Sequence, residues 1–318
     1  MLKQFVVIGS FSFFIVAAII ILTASSTNEQ ADHQNSPSFN PHYAITPVPI
    51  PDKIAFAGEE VPVGNFDVFE SLDREMLVNT YWQSQTLLLI KKAHRYFPLI
   101  EPILKEAGVP DDLKYLAVAE SGLANVVSPA RAEGFWQFLD GTARDYKLEV
   151  NSEVDERYHV EKATFAAAQF LKESYQKYGT WTMAAASYNM GRRNISRQID
   201  RQKSSNYFDL VLGEETGRYV YRLVALKLIM ENPDKYGFYI NDKQKYQSIK
   251  YTLVEVDTTV TNLADFAHQM GINYKVLKEL NPWLRDDKLT NKTGKKYQIK
   301  IADTTLRTVV PDTLFYKK

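Results

Sequence analysis

The 318-residue chain contains no cysteine. That absence excludes a disulfide scaffold, a thiolate nucleophile, Cys-ligated zinc, iron–sulfur clusters and a lipid carried on an N-terminal Cys. Histidine is scarce as well, with five scattered residues, so a structural metal cluster is not expected. Neither sign of charge is in excess: 38 Lys+Arg balance 38 Asp+Glu. No global basic field exists to draw in a nucleic acid. Wholesale disorder is excluded too, because 45% of the residues are hydrophobic and 24% charged, ordinary values for a globular chain. What the chain does have is aromatic residues, with 19 Tyr, 17 Phe and 4 Trp. They suit either a thick core or a saccharide groove, and composition does not choose between the two.

Only one long hydrophobic run occurs, from Phe5 to Leu22, behind Lys3. As a helix it would reach about 27 Å, near the lower limit for a bilayer core of about 30 Å. The run is long for the core of a signal peptide, yet Thr23-Ala24-Ser25-Ser26 supplies small residues suited to cleavage. Residues 1–24 are therefore read as a membrane anchor or a cleaved signal. Either way the rest of the chain is exported, with Lys3 favouring an N-inside orientation. Residues 25–66 carry Pro37, Pro41, Pro47, Pro49, Pro51 and Pro62 among Ser, Asn and Gln, and read as an extended, semi-rigid linker.

From 67 to 240 the apolar spacing becomes helical, as in Leu77, Tyr81, Leu87, Leu88, Ile90, Ala93 and Phe97. A short helix is expected over 99–107, ended by Gly108. A second follows from Pro110, with Asp111 as its N-cap, and stops at Gly122. Glu120 lies at the C-terminal end of that second helix, after the apolar run Leu116-Ala117-Val118-Ala119. The helix dipole disfavours a carboxylate there, and desolvation would raise its pKa, the condition of a general acid that stays protonated near neutrality. A lone Glu at a helix end is more often a solvated charge.

Its company changes that reading. Glu120-Ser121 is followed by Ser128 and by Gly134-Phe135-Trp136-Gln137-Phe138. Then come Ser187-Tyr188-Asn189-Met190-Gly191, and finally Glu215-Thr216 with Tyr219-Val220. This ordered set resembles the lytic transglycosylase domain that acts on peptidoglycan, of the membrane-bound lytic murein transglycosylase D type, over about Phe69 to Phe238. The resemblance implies a mainly α, lysozyme-like (goose-type) catalytic domain with a saccharide groove. It also implies non-hydrolytic cleavage of the β-1,4 bond between N-acetylmuramic acid and N-acetylglucosamine, leaving a 1,6-anhydromuramyl end. Glu120 would be the single catalytic carboxylate, acid first and base second, with no metal or organic cofactor.

The other motif residues divide by chemistry. Gln137 can donate to and accept from an acetamido group or a hydroxyl. The Tyr188 hydroxyl is suited to bond Glu120. Asn189 suits either a saccharide or a helix cap, and Ser121 either a saccharide or the helix end. Trp136 reads as core and Gly134 as a site of tight backbone. By resemblance alone, Phe138 lines the groove and Glu215 bonds a loop across it. Glu133 reads as a solvated loop charge, and Asp155 with Arg157 as a buried pair. Arg131 departs from the pattern, standing where the family has a small residue, commonly Gly.

After a linker at 241–250, residues 251–303 show strand, helix, helix and strand, at Tyr251–Val256, Leu263–Ala267, Tyr274–Pro282 and Tyr297–Ile301. The order resembles a LysM module, a small α+β (βααβ) binder of N-acetylglucosamine-containing glycans. Val256-Asp257-Thr258-Thr259 replaces the usual Gly-Asp, so the match is degenerate and retained glycan affinity stays open. Residues 304–318 read as a tail. Residues 242–318 hold 14 Lys/Arg against nine Asp/Glu, a modest positive excess suited to an anionic wall. The expected partners are peptidoglycan glycan strands, with the membrane through the N-terminal helix, and the expected place is the periplasmic side of the cell envelope. Two rivals remain at this stage: a goose-type-lysozyme-like hydrolase and a non-catalytic peptidoglycan-binding scaffold.

Overall fold

The hydrophobic spacing that marks helices over 67–240 is realised in a computed structural model that describes residues 45–303. The apolar run at 5–22, residues 25–44 of the Pro-rich segment and the tail at 304–318 lie outside those residues. No helix among the described residues is long and apolar enough to cross a membrane.

The helical part contains α1 (Phe66–Tyr81), α2 (Gln83–Glu106), α3 (Tyr115–Ser121), α4 (Asp140–Asp145), α5 (Val160–Tyr178), α6 (Trp181–Met190), α7 (Arg192–Gln202) and α8 (Glu214–Glu231). Helix α6 lies at the centre, with Thr182 through Ser187 all buried. Its run Ala184-Ala185-Ala186 lets α5 and α8 approach closely, and a helix apolar on every side belongs in the interior. Thr180 caps it by accepting from the Met183 amide.

Two local expectations are corrected here. Helix α2 runs unbroken through Pro98 and Pro102, so there is no separate helix at 99–107. Leu89, Ile90, Ala93, Ile100, Ile103 and Leu104 all face the core, and that burial outweighs the two lost N–H donors. Asp111 caps nothing. It opens a 3-10 turn (Asp111–Lys114) and pairs with Lys114 at 2.5 Å.

The linker expectation also fails for the described part of 25–66. Strands β1 (Ile54–Phe56) and β2 (Glu59–Val61) form an antiparallel hairpin. Its turn residues, Ala57 and Gly58, both have positive φ, as a tight two-residue hairpin turn requires. Val48, Ile54, Phe56 and Val61 are buried in the main core. Asp112 accepts from the Ala57 amide and from Lys227, and Glu59 accepts from the amides of Trp181 and Thr182 at the start of α6. A carboxylate there also answers the positive end of the helix.

The C-terminal α+β element order is as expected: β3 (Tyr251–Val256), α9 (Leu263–Gln269), α10 (Tyr274–Leu280) and β4 (Tyr297–Ala302). The two strands pair antiparallel in the register Tyr251↔Ala302 to Val256↔Tyr297. Asn262 and Asn273 cap the two helices. Buried Asn281 joins the end of α10 to Lys300 of β4 through its side-chain amide. The module's core of Leu263, Leu277, Trp283, Leu284 and Ile299 also takes in Val154 and Tyr158 of the helical part.

Candidate active site

Helix α3 is only seven residues long, anchored by buried Tyr115, Leu116, Ala117 and Val118. It ends because Gly122 adopts a left-handed conformation at φ 59°. Lys92 donates to the Gly122 carbonyl at 2.8 Å, placing a cation at the negative end of the helix. Glu120, one residue before the end, is half-buried. Burial pushes its carboxyl up to about 7, and the charge of Glu215 pushes the same way. A hydrogen bond from Tyr219 and the charge of Arg222 oppose that rise without cancelling it.

The phenol that reaches Glu120 is Tyr219, whose hydroxyl donates to Oε1 at 2.5 Å. Tyr188 does not make this bond, contrary to the expectation from sequence. Its hydroxyl donates to the Trp136 carbonyl at 2.6 Å. Burial and the nearby Glu120 charge hold both phenols well above their ordinary pKa, so both remain donors. Helix α8 thus delivers Glu215, Tyr219 and Arg222 to one carboxylate, at the four- and three-residue spacing of one helical face. The helix is fixed against α1 by Glu75, which is 1% exposed and accepts from Arg218 at 2.7 Å and Arg222 at 3.5 Å.

Gln137 lies in a tight turn whose ends, Glu133 and Phe138, exchange two backbone hydrogen bonds. Its side-chain amide donates to the carbonyls of Val126 and Gly134, at 3.0 and 2.8 Å. Its donors are therefore spent, and its acceptor oxygen is what it retains for a ligand. Gly134 is required by close approach: a Cβ there would lie 2.0 Å from the Arg157 carbonyl oxygen. Phe138 is buried against Tyr146 and Tyr188, so it supports the site from below and does not line it. Trp136 is core, its indole N–H donating to Thr164 at 2.9 Å.

The solvated reading of Glu133 is corrected as well. Glu133 pairs with Arg157 at 3.2 Å, and Arg157 also makes a forked bond to Asp155, 2.6 Å at its closest. The same guanidinium lies 3.4 Å from the Phe138 carbonyl, so one side chain holds both ends of the Gln137 turn. Arg131, exposed at φ 63°, occupies a left-handed turn position, which explains a preference for Gly there.

Asn189 and Glu215 meet each other. The Asn189 amide donates to Glu215 at 3.1 Å and accepts from Thr216 at 2.7 Å, tying the end of α6 to the start of α8. Ser121 satisfies the helix end, donating to the Ala117 carbonyl and accepting from the Ala124 amide. Sequence reasoning missed the roles of Tyr219, Arg222 and Glu75. The Glu215, Tyr219, Arg222 spacing was the available signal. Among the described residues no group of three or more His, Asp or Glu is placed to hold a metal ion. The arrangement presents one carboxylic acid, protonated near neutrality, beside a fixed phenol donor. Such a group can protonate a leaving oxygen and then accept a proton.

Residues 98–211 match the family described as the transglycosylase SLT domain, and residues 252–305 match the soluble lytic transglycosylase C-terminal LysM-like domain. The chain therefore carries a lysozyme-like SLT domain followed by a LysM-like domain. Tyr219 and Arg222 lie beyond the first matched span. The chain is also similar to the membrane-bound lytic murein transglycosylase D of Escherichia coli, from two strains, at 27% identity over 247 residues in each case. The match covers 75% of this chain and 53% of each relative, so the chain spans about half the length of the curated relatives it matches.

Proposed function

We propose that this chain, which carries a transglycosylase SLT domain and a LysM-like domain, is a peptidoglycan lytic transglycosylase of the cell envelope. It would cleave the β-1,4 bond between N-acetylmuramic acid and N-acetylglucosamine, leaving a 1,6-anhydromuramyl end. The observation that carries this reading is Glu120, a carboxyl raised to about 7 by burial and fixed by the Tyr219 hydroxyl.

In the first step the protonated Glu120 gives its proton to the glycosidic oxygen as the bond to the anomeric carbon breaks. In the second, the Glu120 carboxylate takes the proton from the muramyl 6-hydroxyl as that oxygen attacks the same carbon. The substrate's 2-acetamido group can stabilise the positive anomeric carbon, so a second carboxylate is not required. Tyr219 holds the carboxyl and favours its charged form after the first transfer. Gln137 would accept from a glycan N–H or hydroxyl through its free oxygen. The names of the relatives support an envelope location. The apolar run at 5–22 would tether the enzyme or direct its export.

Mass spectrometry of purified peptidoglycan digested by the protein, beside Glu120→Gln, tests the reading. Anhydromuropeptides from the wild type and none from the variant are expected. Reducing ends would assign a hydrolase on the same scaffold, and no cleavage by either protein would remove the catalytic reading.

A further inference from the structure

A groove of about 640 Å³ opens where α2, the segment after α3 and α10 of the C-terminal domain come together. Its volume lies in the ordinary range of ligand-binding clefts. One wall follows directly on the catalytic helix, since Leu123, Ala124 and Asn125 lie three to five positions after Glu120. Four cations line it, Lys92 and Arg95 from α2 and Lys275 and Lys278 from α10, against the single carboxylate Glu279. Tyr96, Tyr246 and Tyr274 supply aromatic surface between them.

None of the four cations has a carboxylate partner within 4.0 Å among the described residues. Lys92 and Lys278 donate to backbone carbonyls, of Gly122 and of Leu284 and Asp286, so neither ammonium is bonded to a carboxylate, though the charges of Asp286 and Asp287 act on Lys278. Burial lowers the pKa of both. Arg95 donates through Nε to the Gln247 carbonyl at 3.0 Å and stacks on Tyr246, and its Nη groups make no hydrogen bond among the described residues. Lys275 is exposed and makes neither a hydrogen bond nor an ion pair among them.

The other side of the same junction is built differently. There Lys295 pairs with Glu149 and Lys288 with Glu153. Lys300 pairs with Glu161 in the pocket next to the groove, which shares Arg95, Tyr96 and Glu279 with it, so the unpaired cations are those of the groove itself. A groove that sets four cations against one carboxylate is matched by a ligand that brings carboxylates.

We propose that this groove binds the carboxylates of the short acidic peptide that hangs from a glycan strand, so that α10 of the C-terminal domain takes part in substrate recognition. The proposal rests on the peptidoglycan reading above. It gives the C-terminal domain a role distinct from gripping the glycan backbone.

Equilibrium titration tests it in the full chain carrying Glu120→Gln, which prevents turnover. The probes are a synthetic muramyl tetrapeptide with free carboxylates and the same peptide fully amidated. Binding of the free acid at least about tenfold tighter than the amide is expected, weakening with salt. Arg95→Gln with Lys275→Gln is expected to remove that preference, and Lys275→Gln alone to reduce it, since Lys275 is exposed and supports no internal contact. Lys92 is left intact because it caps α3. Equal binding of the two peptides, undetectable binding of both, or an unchanged preference in the double variant would overturn the proposal. Release of anhydro ends by the wild type is scored separately. Binding without cleavage defeats the reaction and keeps the groove, and cleavage without carboxylate preference does the reverse.

Discussion

The Tyr219 hydroxyl donates to Glu120 Oε1 at 2.5 Å, joining α8 to the last turn of α3 across 99 residues of sequence. The bond favours the charged carboxylate, so it works against burial, which favours the neutral acid. Tyr219→Phe removes the opposing influence, and the Glu120 pKa is expected to rise further. The alkaline limb of kcat/KM against pH then moves to higher pH. The rate at the optimum falls about 10- to 100-fold as the carboxyl loses its fixed orientation. Tyr188→Phe serves as the contrast: it loses a bond to the Trp136 carbonyl, and its pH limb is expected to stay where the wild type has it.

A carboxyl raised to about 7 makes a paired prediction about activity and stability. Activity requires the protonated acid, so kcat/KM is expected to fall as pH rises through about 7. For stability, the folded protein holds a proton on Glu120 between the ordinary Glu value and about 7 that the unfolded chain releases. Stability from this group is therefore present below the ordinary Glu value and is lost as pH rises through about 7. Glu120→Gln keeps the shape and cannot ionise. It should be inactive yet more stable than wild type above pH 7, by on the order of 1–2 kcal/mol. Denaturant unfolding at pH 5 and pH 8 measures the difference, and a variant equally destabilised at both would refute the assignment.

Much of this site was legible because its pieces are local. Glu120-Ser121 and the turn around Gln137 are short segments whose residue types report their own conformation. Gly134, for example, marks the approach of the Arg157 carbonyl. The partner of Glu120 was not legible in the same way. Tyr188 and Tyr219 carry the same donor, and which of them reaches the carboxyl depends on how α8 crosses α3. Glu133 looked solvated for a similar reason, since its partner Arg157 arrives from 24 positions downstream. The β1–β2 hairpin escaped because its strands have three residues each and follow three closely spaced prolines, so alternation never extends far enough to be seen. The C-terminal domain was read more completely, because its order of strand, helix, helix and strand is carried by contiguous apolar patterns.

Gly134 offers a test of close packing beneath the Gln137 turn. It combines φ 82° with a Cβ position 2.0 Å from the Arg157 carbonyl, so both the backbone and the space reject a side chain. The neighbouring atom is main chain and cannot swing aside. Gly134→Ala is expected to destabilise the protein by about 3 kcal/mol or more. Ala at Gly141, where nothing lies within 4 Å of an added Cβ, should change stability little. Thermal unfolding of the two variants side by side distinguishes a local clash from a general intolerance of substitution.

Arg157 links the C-terminal domain to the active-site turn. The Asp155 amide donates to the Trp283 carbonyl at 2.9 Å, Val154 bridges Leu284, and the Arg285 guanidinium lies 3.9 Å over the Tyr158 ring. From that docked segment, Arg157 forks onto Asp155 and reaches Glu133 and the Phe138 carbonyl. A lysine keeps the charge but presents one compact ammonium in place of a planar fork, so it cannot hold all three partners. Arg157→Lys is expected to cost about 2–3 kcal/mol of stability through the buried carboxylates it leaves underserved. It should also loosen the Gln137 turn, raising KM several-fold with a smaller fall in kcat. The pH midpoint should not move, because the charges of Glu215 and Arg222 and the hydrogen bond from Tyr219, which act on Glu120, all come from α8. A shift of that midpoint in Arg157→Lys would show that the turn and the acid are coupled. An unchanged KM would show that the turn does not need the fork.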